Sequence, residues 1–187
     1  MTDIYVILNN KILRNEVKLR KVHYMGKGIN LSLTKSLARF DALLDNAIEA
    51  VSPKKLSVAS ELEDANLSKF QVGKYVQVDS DVEDDEPPVF WIGYGWEENE
   101  KSESCLWLEF DAETCPAEYW EKLDKLVGTS GKYCSKIDFE FTQVYMNAWI
   151  HFYLGEEYLK QFYAENADID RQREILTGFI NEVVEKL

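Results

Sequence analysis

The chain is poor in the residue types that build metal centres and nucleophilic sites. Its 187 residues include two histidines and three cysteines, and Cys105, Cys115 and Cys134 form no C-x-x-C pair. An odd number of cysteines without that spacing argues against a disulfide framework and against a Cys/His zinc site. The sequence also has no G-x-x-x-x-G-K-[ST] and no G-x-G-x-x-G motif, which are the common phosphate-binding patterns. We therefore expect reduced thiols, no bound metal and no cofactor.

Long apolar runs are also missing. The first run, Ile4-Tyr-Val-Ile-Leu8, has five residues and no basic residue before it, which is too short for a signal peptide. No stretch approaches the roughly 18 apolar residues that a membrane-spanning helix requires. The sequence therefore predicts a cytoplasmic protein with no membrane partner.

Negative charge, by contrast, is abundant and unevenly placed. Residues 1–60 carry 10 Lys and Arg against 5 Asp and Glu, whereas residues 61–187 carry 11 against 29, and the whole chain has a net charge of −13. The acidic excess is greatest between Asp79 and Glu86. A surface of this sign repels phosphate and attracts basic molecules. We expect a basic protein partner and no direct contact with nucleic acid.

A hydrophobic content of 45% and an aromatic content of 13% indicate a folded domain despite this charge. The length predicts a single domain over residues 1–187. It divides into a basic N-terminal element (1–30), a helical segment (31–70) and a sheet-plus-helix body (71–187). Within the N-terminal element, Val17 and Leu19 fit a strand, whereas Ile12, Leu13 and Val17 fit a helix, and both alternatives stay open.

Hydrophobic periodicity predicts the order of helices and strands. Residues 34–51 have the spacing of a helix, residues 57–70 have that of a weaker one, and residues 74–78 alternate as a strand. After Pro88, the expected strands are 89–96, 105–110, 132–142 and 144–154, with helices from Thr114 to Gly128 and over 169–187. We therefore predict an α+β fold. Two β-β-α units in residues 89–187 form a mostly antiparallel sheet, which helices pack on one face, and an N-terminal β/α segment precedes them.

Alternation along these strands separates two faces of the sheet. Phe90, Phe110, Phe139, Phe141 and Met146 belong to an apolar face, which we expect to pack entirely under helices. The opposite face mixes aromatic and charged residues, and either it is open or the N-terminal segment and the 34–70 helices cover it. Gly93 and Gly95 on this second face either let a neighbouring backbone or a ligand come close or mark a β-bulge, and we favour the bulge.

The mixed face supplies the candidate binding site, because tryptophan and tyrosine dominate the energetics of protein interfaces. The predicted binding residues are Trp91, Trp107, Glu109, Asp138, Glu140, Trp149, His151 and Tyr153, together with Asp81, Glu83, Asp84 and Asp85 of the acidic loop. No residue is assigned a catalytic or metal-binding role in this hypothesis.

These observations favour a non-enzymatic, acidic, protein-binding factor. An inhibitor or immunity protein that mimics DNA fits them, as does an accessory protein of a phage or mobile element, and each would engage a basic, nucleic-acid-binding protein. The alternative hypothesis is a Mg²⁺-dependent, nuclease-like hydrolase whose ligands are Glu109, Asp138 and Glu140. In this chain Lys136 precedes the acidic residues, whereas restriction-type nucleases have the lysine after them. His151 is a poor candidate for a catalytic base, because the sequence has no serine or cysteine in a recognisable nucleophile motif to pair with it.

Overall fold

A computed structural model of the chain describes residues 34–51, 55–58, 72–79, 87–96, 104–162 and 168–187. In chain order, the elements are helix α1 (Thr34–Glu49), strands β1 (Leu56–Val58), β2 (Val72–Val78), β3 (Val89–Trp96) and β4 (Ser104–Asp111), helix α2 (Ala117–Asp124), strands β5 (Cys134–Thr142) and β6 (Asn147–Leu154), helix α3 (Glu156–Leu159) with the 3₁₀ turn Lys160–Phe162, and helix α4 (Ile169–Val184). The predicted basic element 1–30 and the loop residues Asp81, Glu83, Asp84 and Asp85 lie outside the described residues.

The six strands form one antiparallel sheet in the order β1-β2-β3-β4-β6-β5. The pairs β3–β4 and β5–β6 are each followed by helix, and β4 pairs with β6 to join the two units. This arrangement confirms the predicted α+β fold with two β-β-α units.

Helices cover one side of the sheet, which we call the inner face. Phe110 of β4 lies there between Phe90 and Phe152, with ring centroids 5.5 and 6.0 Å away. Phe40 of α1 contacts Tyr94 on the same face, at 6.2 Å between ring centroids. Edge-to-face and tilted contacts of this kind are the favoured aromatic geometries. The inner face and its helices therefore form the hydrophobic core.

Helix α4 is fixed at its start and along its length. Asp168 caps it by accepting a hydrogen bond from the backbone N–H of Asp170 at 2.9 Å. Further along, the carboxylate of Glu182 accepts from the backbone N–H groups of Tyr133 (2.7 Å) and Cys134 (3.4 Å). These bonds hold the last helix against the first residues of β5.

The expected helix over residues 57–70 is wrong at its start. Leu56–Val58 is a strand that pairs with β2 through Leu56 and Val78. Leu56 and Val58 are half-buried and Ser57 is exposed, so the pattern is the period of two that a half-buried strand shows. Residues 59–70 lie outside the described residues.

The predicted bulge at Gly93 and Gly95 is also wrong. Strand β3 keeps one continuous register, in which Gly93 pairs with Gly73 on one side and with Trp107 on the other. The irregularity lies instead in β5, between Cys134 and Lys136.

The apolar face is less completely covered than the sequence predicts. Strand β5 is the edge of the sheet, and its Phe139 and Phe141 are 48% and 50% exposed. Met146 does not lie in a strand, because β6 begins at Asn147, and it occupies the preceding turn with a φ of 53° and an exposed side chain. The helices therefore bury the inner face only as far as Ile137 of the edge strand.

Candidate functional site on the outer face of the sheet

The side of the sheet opposite the helices, the outer face, carries the predicted binding residues. The strand register aligns Tyr75, Trp91, Glu109, His151 and Asp138 in one row that crosses five strands. Directly opposed residues in antiparallel strands have Cβ atoms about 5 Å apart. The fold thus brings four of the predicted residues into one line, although Trp91 and His151 lie 60 positions apart in the sequence.

Two tryptophans occupy the centre of this face. The rings of Trp91 and Trp107 pack at 4.8 Å between centroids, and the Nε1–H of Trp107 donates to Oε2 of Glu109 at 2.7 Å. Trp91 is 2% exposed and Trp107 is 5% exposed. The sequence predicts both rings as contacts of a partner. In the folded protein both rings are buried, so they cannot contact a partner directly.

Gly73 makes room for the first of these rings. A Cβ atom added at Gly73 would lie 2.3 Å from Cζ2 of Trp91 and 2.4 Å from the carbonyl oxygen of Ile92. Any larger residue at this position would collide with the indole. Glycine at this position therefore lets the Trp91 ring lie close to the backbone of β2 without interrupting the strand pairing.

His151 lies between two carboxylates from neighbouring strands. Its Nε2 is 3.2 Å from Oε2 of Glu109 on β4, and its Nδ1 is 3.7 Å from Oε2 of Glu140 on β5. Its ring packs on that of Tyr153 at 5.8 Å between centroids. None of these contacts of His151 comes from a serine or a cysteine. The imidazole links the acidic groups of β4 and β5.

Two buried polar atoms of the outer face have no hydrogen-bond partner within the described ranges, namely Nε1 of Trp91 and Nδ1 of His151. A buried polar group without a partner costs about 1–3 kcal/mol. Such groups in a folded protein require an explanation beyond packing. Here both atoms lie in the same row as Glu109 and Asp138. The polar groups of this row therefore do not satisfy all of one another's hydrogen bonds among the described residues.

A second row lies at one end of the face and is acidic. Asp111 pairs in register with Trp149, which pairs with Glu140. Oδ1 of Asp111 accepts hydrogen bonds from Nδ2 of Asn147 and from the backbone N–H of Glu113, each at 2.8 Å. These bonds fix the Asp111 carboxylate at the end of β4.

Tyr75 and Asp111 also belong to this face and were not predicted from the sequence, whereas Asn147 was assigned to it by alternation along its strand. Burial raises the pKa of Tyr75, and the nearby charges of Glu109 and Asp111 raise it further, so the phenol keeps its proton. Alternation in residues 74–78 is a signal that would have placed Tyr75 outward. Its proximity to Glu109, however, depends on the register of strands that are distant in the sequence.

The acidic loop of the sequence hypothesis is attached at this same end. Its described flanks are Asp79, which follows β2, and Pro87, which precedes β3. Gln77 of β2 pairs with Val89 of β3. This pair lies two residues from the pair of Tyr75 and Trp91, on the side of the sheet where Asp111 lies. The structure says nothing of Asp81, Glu83, Asp84 and Asp85 themselves, but their points of attachment lie at the acidic end of the outer face.

The solvent-facing part of the predicted site lies on β5 and β6. The side chain of Glu140 is 61% exposed, and Trp149, Tyr153 and Asp138 are half-buried. Lys136 forms an ion pair with Asp138 and lies over the ring of Tyr153, with its Nζ 5.6 Å from the ring centroid. A partner could reach these groups, whereas Trp91, Trp107 and His151 lie beneath the surface.

The alternative hypothesis of a magnesium site gains no support from this geometry. Within the described part of the chain, no three His, Cys, Asp or Glu side chains are grouped so that they could hold a metal ion. Glu109 and Glu140 approach opposite nitrogens of the same imidazole, so His151 stands between two of the three ligands that the hypothesis requires.

None of the described helices has the length and apolarity needed to cross a bilayer.

Comparison of the chain with models of known protein families, with curated proteins and with solved structures gives no match. The outer face must therefore be interpreted from its own residues: a buried tryptophan pair, a histidine between carboxylates, and an acidic end beside the attachment points of the acidic loop.

Proposed function

We propose that this protein is a cytoplasmic, non-enzymatic binding factor whose acidic surface engages a basic, nucleic-acid-binding protein. Its action would be that of an inhibitor, since a partner occupied by carboxylates cannot also bind phosphates. The observation that carries the proposal is the acidic end of the outer face. There Asp111 and Glu140 lie in one row, and the described flanks of the Asp79–Glu86 segment join the sheet at the same end.

Within the part of the chain that the structure describes, many carboxylates form no ion pair with another described residue. Ion pairs within the described ranges join Lys74 to Asp45, Lys136 to Asp138, Lys160 to Glu156, Arg171 to Glu174, and Arg173 to Asp170. Other exposed carboxylates form no ion pair with any described residue, among them Glu113, Glu118, Glu121, Asp124 and Glu157. Negative charge is therefore left to act on molecules outside the protein.

A basic groove that binds DNA is adapted to a line of negative charges. Complementary charge accelerates encounter and selects partners, and it makes association sensitive to ionic strength. Carboxylates on a rigid sheet can replace phosphates in such a groove with little ordering cost, because the strands already fix their spacing. The rigid row through Asp111 and Glu140 supports this mode of binding.

The proposal is tested by capture on the immobilised full-length chain from a lysate of the native host. We expect the retained proteins to be basic, to be released as salt concentration rises, and to be displaced by duplex DNA. Retention that is unchanged in high salt and in excess DNA would contradict an electrostatic interface that imitates nucleic acid.

Two variants with equal net charge locate the interface. The first neutralises the acidic segment (Asp81→Asn, Glu83→Gln, Asp84→Asn and Asp85→Asn). The second neutralises four exposed carboxylates on the helical side (Glu118→Gln, Glu121→Gln, Asp124→Asn and Glu157→Gln). We expect the first variant to lose the captured protein and the second to keep it. Equal losses would show that net charge alone, rather than the acidic end, attracts the partner.

A further inference from the structure

At the β5 edge of the sheet, the described residues cover the first half of the strand and leave its second half free. Its first half is covered, because the backbone N–H of Gly128 donates to the carbonyl of Ile137 at 2.9 Å and that of Gly131 donates to the carbonyl of Cys134 at 2.7 Å. Backbone groups of alternate residues in a strand point to the same side, so those of Phe139 and Phe141 point outward like the carbonyl of Ile137. No described strand lies beyond β5.

The side chains along this free half alternate in chemistry. Phe139 and Phe141 are exposed on the inner-face side, whereas Asp138 and Glu140 lie on the outer-face side. The turn after β5 continues the apolar surface with exposed Val144, Tyr145 and Met146. Natural sheets usually protect an edge strand from pairing. An edge that exposes two phenylalanines, and backbone groups with no partner among the described residues, therefore has the features of a docking strand.

We propose that the free half of β5, Phe139–Thr142, accepts an extended segment of the partner as an additional strand of the sheet. This inference rests on the proposed function, since it names how a basic partner is held. Main-chain hydrogen bonds supply affinity in this mode, and alternate side chains supply specificity. The matching segment alternates basic residues, which lie beside Glu140 and compete with Lys136 for Asp138, with apolar residues, which lie beside Phe139 and Phe141.

Charge selects a basic partner over a second copy of this chain. Antiparallel pairing of two β5 strands about Phe139 would place Asp138 opposite Glu140 of the copy, and pairing about Glu140 would place the two glutamates opposite each other. Like charges directly opposed across strands are destabilising. Two chains of net charge −13 also repel one another at long range.

The test uses the full-length protein and two synthetic peptides, one of alternating lysine and valine and one with the same lysines and valines in two blocks. Calorimetry should show the alternating peptide binding at least about tenfold more tightly, a difference of about 1.4 kcal/mol. Amide hydrogen exchange should show that the Phe139 and Phe141 N–H groups become protected when that peptide binds.

A pair of variants separates backbone pairing from side-chain contact. Phe141→Pro removes an outward N–H, which an edge strand tolerates because that group makes no bond within the sheet. Phe141→Ala removes the same ring and keeps the N–H. We expect the proline variant to lose the preference for the alternating peptide and the alanine variant to retain most of it. Thermal unfolding verifies that both variants are folded, and the exchange measurement on the unaltered protein stands even where the proline variant fails to fold.

The outcomes also separate this inference from the proposed function. Salt-sensitive binding of both peptides with equal affinity, without protection of Phe139 and Phe141, would overturn strand addition and leave an electrostatic binding factor. Absence of binding by either peptide at low salt would count against both. Tight binding of the alternating peptide with protection of the two amides establishes the docking strand.

Discussion

The two faces of the sheet use the same strands for opposite purposes. On the inner face, Phe90, Phe110 and Phe152 pack ring against ring beneath the helices. On the outer face, the residues that alternate with them include Glu109 and His151, which meet at 3.2 Å. Side chains of a strand alternate with a period of two, so one stretch of sequence specifies a core and a polar surface together. Core residues and outer-face residues therefore occupy alternate positions of the same strands, and either set can be substituted without changing the other.

The faces also differ in how they respond to loss of a side chain. Removal of a ring from the inner face leaves a cavity among atoms that cannot collapse fully. On the β5–β6 half of the outer face, water replaces what is lost, since Trp149, Tyr153 and Glu140 are already in contact with solvent. Substitutions on the inner face should therefore lower the free energy of unfolding more than those on the β5–β6 half of the outer face.

Phe110→Ala should be the most damaging single change. Phe110 is fully buried between Phe90 and Phe152, and Phe→Ala in a core lowers the free energy of unfolding by about 3–5 kcal/mol. The matched change on the outer face is Trp149→Ala, for which we expect no more than about 1.5 kcal/mol because the ring is half-exposed. Urea unfolding followed by circular dichroism measures both. Equal losses would mean that the outer face is a second core.

Gly73→Ala should destabilise the centre of the outer face. The added methyl group would overlap the indole of Trp91 and the carbonyl of Ile92, and such overpacking costs about 1–3 kcal/mol. The control is Gln77→Ala in the same strand, where the side chain is half-exposed and we expect a change within about 0.5 kcal/mol. A neutral effect at Gly73 would show that the tryptophan pair is loosely held.

The buried thiol of Cys115, which follows β4, should make the free energy of unfolding depend on pH. Burial, and after it the nearby charge of Asp111, raises the pKa of Cys115 from 9.0 to about 11. The folded protein therefore retains this proton at a pH where the unfolded chain releases it. Stability from the buried thiol is complete below pH 9 and is lost as pH rises toward and through about 11.

The measurement is the difference in unfolding free energy between the natural chain and Cys115→Ala, taken at pH 8 and again near pH 11. We expect this difference to fall by about 1–2 kcal/mol between the two values, at 1.36 kcal/mol for each full unit of pKa change. The subtraction removes the titration of tyrosines and lysines, which both proteins share. A difference that stays constant with pH would show that Cys115 ionises as easily in the fold as in the unfolded chain.

Local pattern was sufficient for much of the fold. The predicted strand 89–96 has the observed bounds of β3, and alternation assigned Trp91, Glu109 and His151 to the face opposite Phe90 and Phe110. The two β-β-α units followed from the same periodicities. These features depend on neighbours within a few residues, which a sequence displays directly.

Features that depend on strand order and register were beyond the sequence. That His151 lies between Glu109 and Glu140 follows from the position of β6 between β4 and β5, which no local pattern encodes. The tight approach at Gly73 needs the ring of Trp91 from the next strand. The prediction that Phe139 and Phe141 pack under helices failed for a related reason: an apolar strand that ends a sheet has the same alternation as one in its centre.

The smallest effect is expected at that edge. Phe141 shares the inner face with Phe110 and differs from it in being half-exposed at the last strand. Phe141→Ser should therefore change the free energy of unfolding by less than about 0.5 kcal/mol, the usual range for a surface position. Urea unfolding of the variant beside Phe110→Ala makes the comparison within one face. A loss above about 2 kcal/mol would place Phe141 in a core, and the free edge would then have to be covered by another part of the chain. A loss near zero means that the phenylalanine contributes little to folding, and its exposure is then available for the partner strand that the edge is proposed to bind.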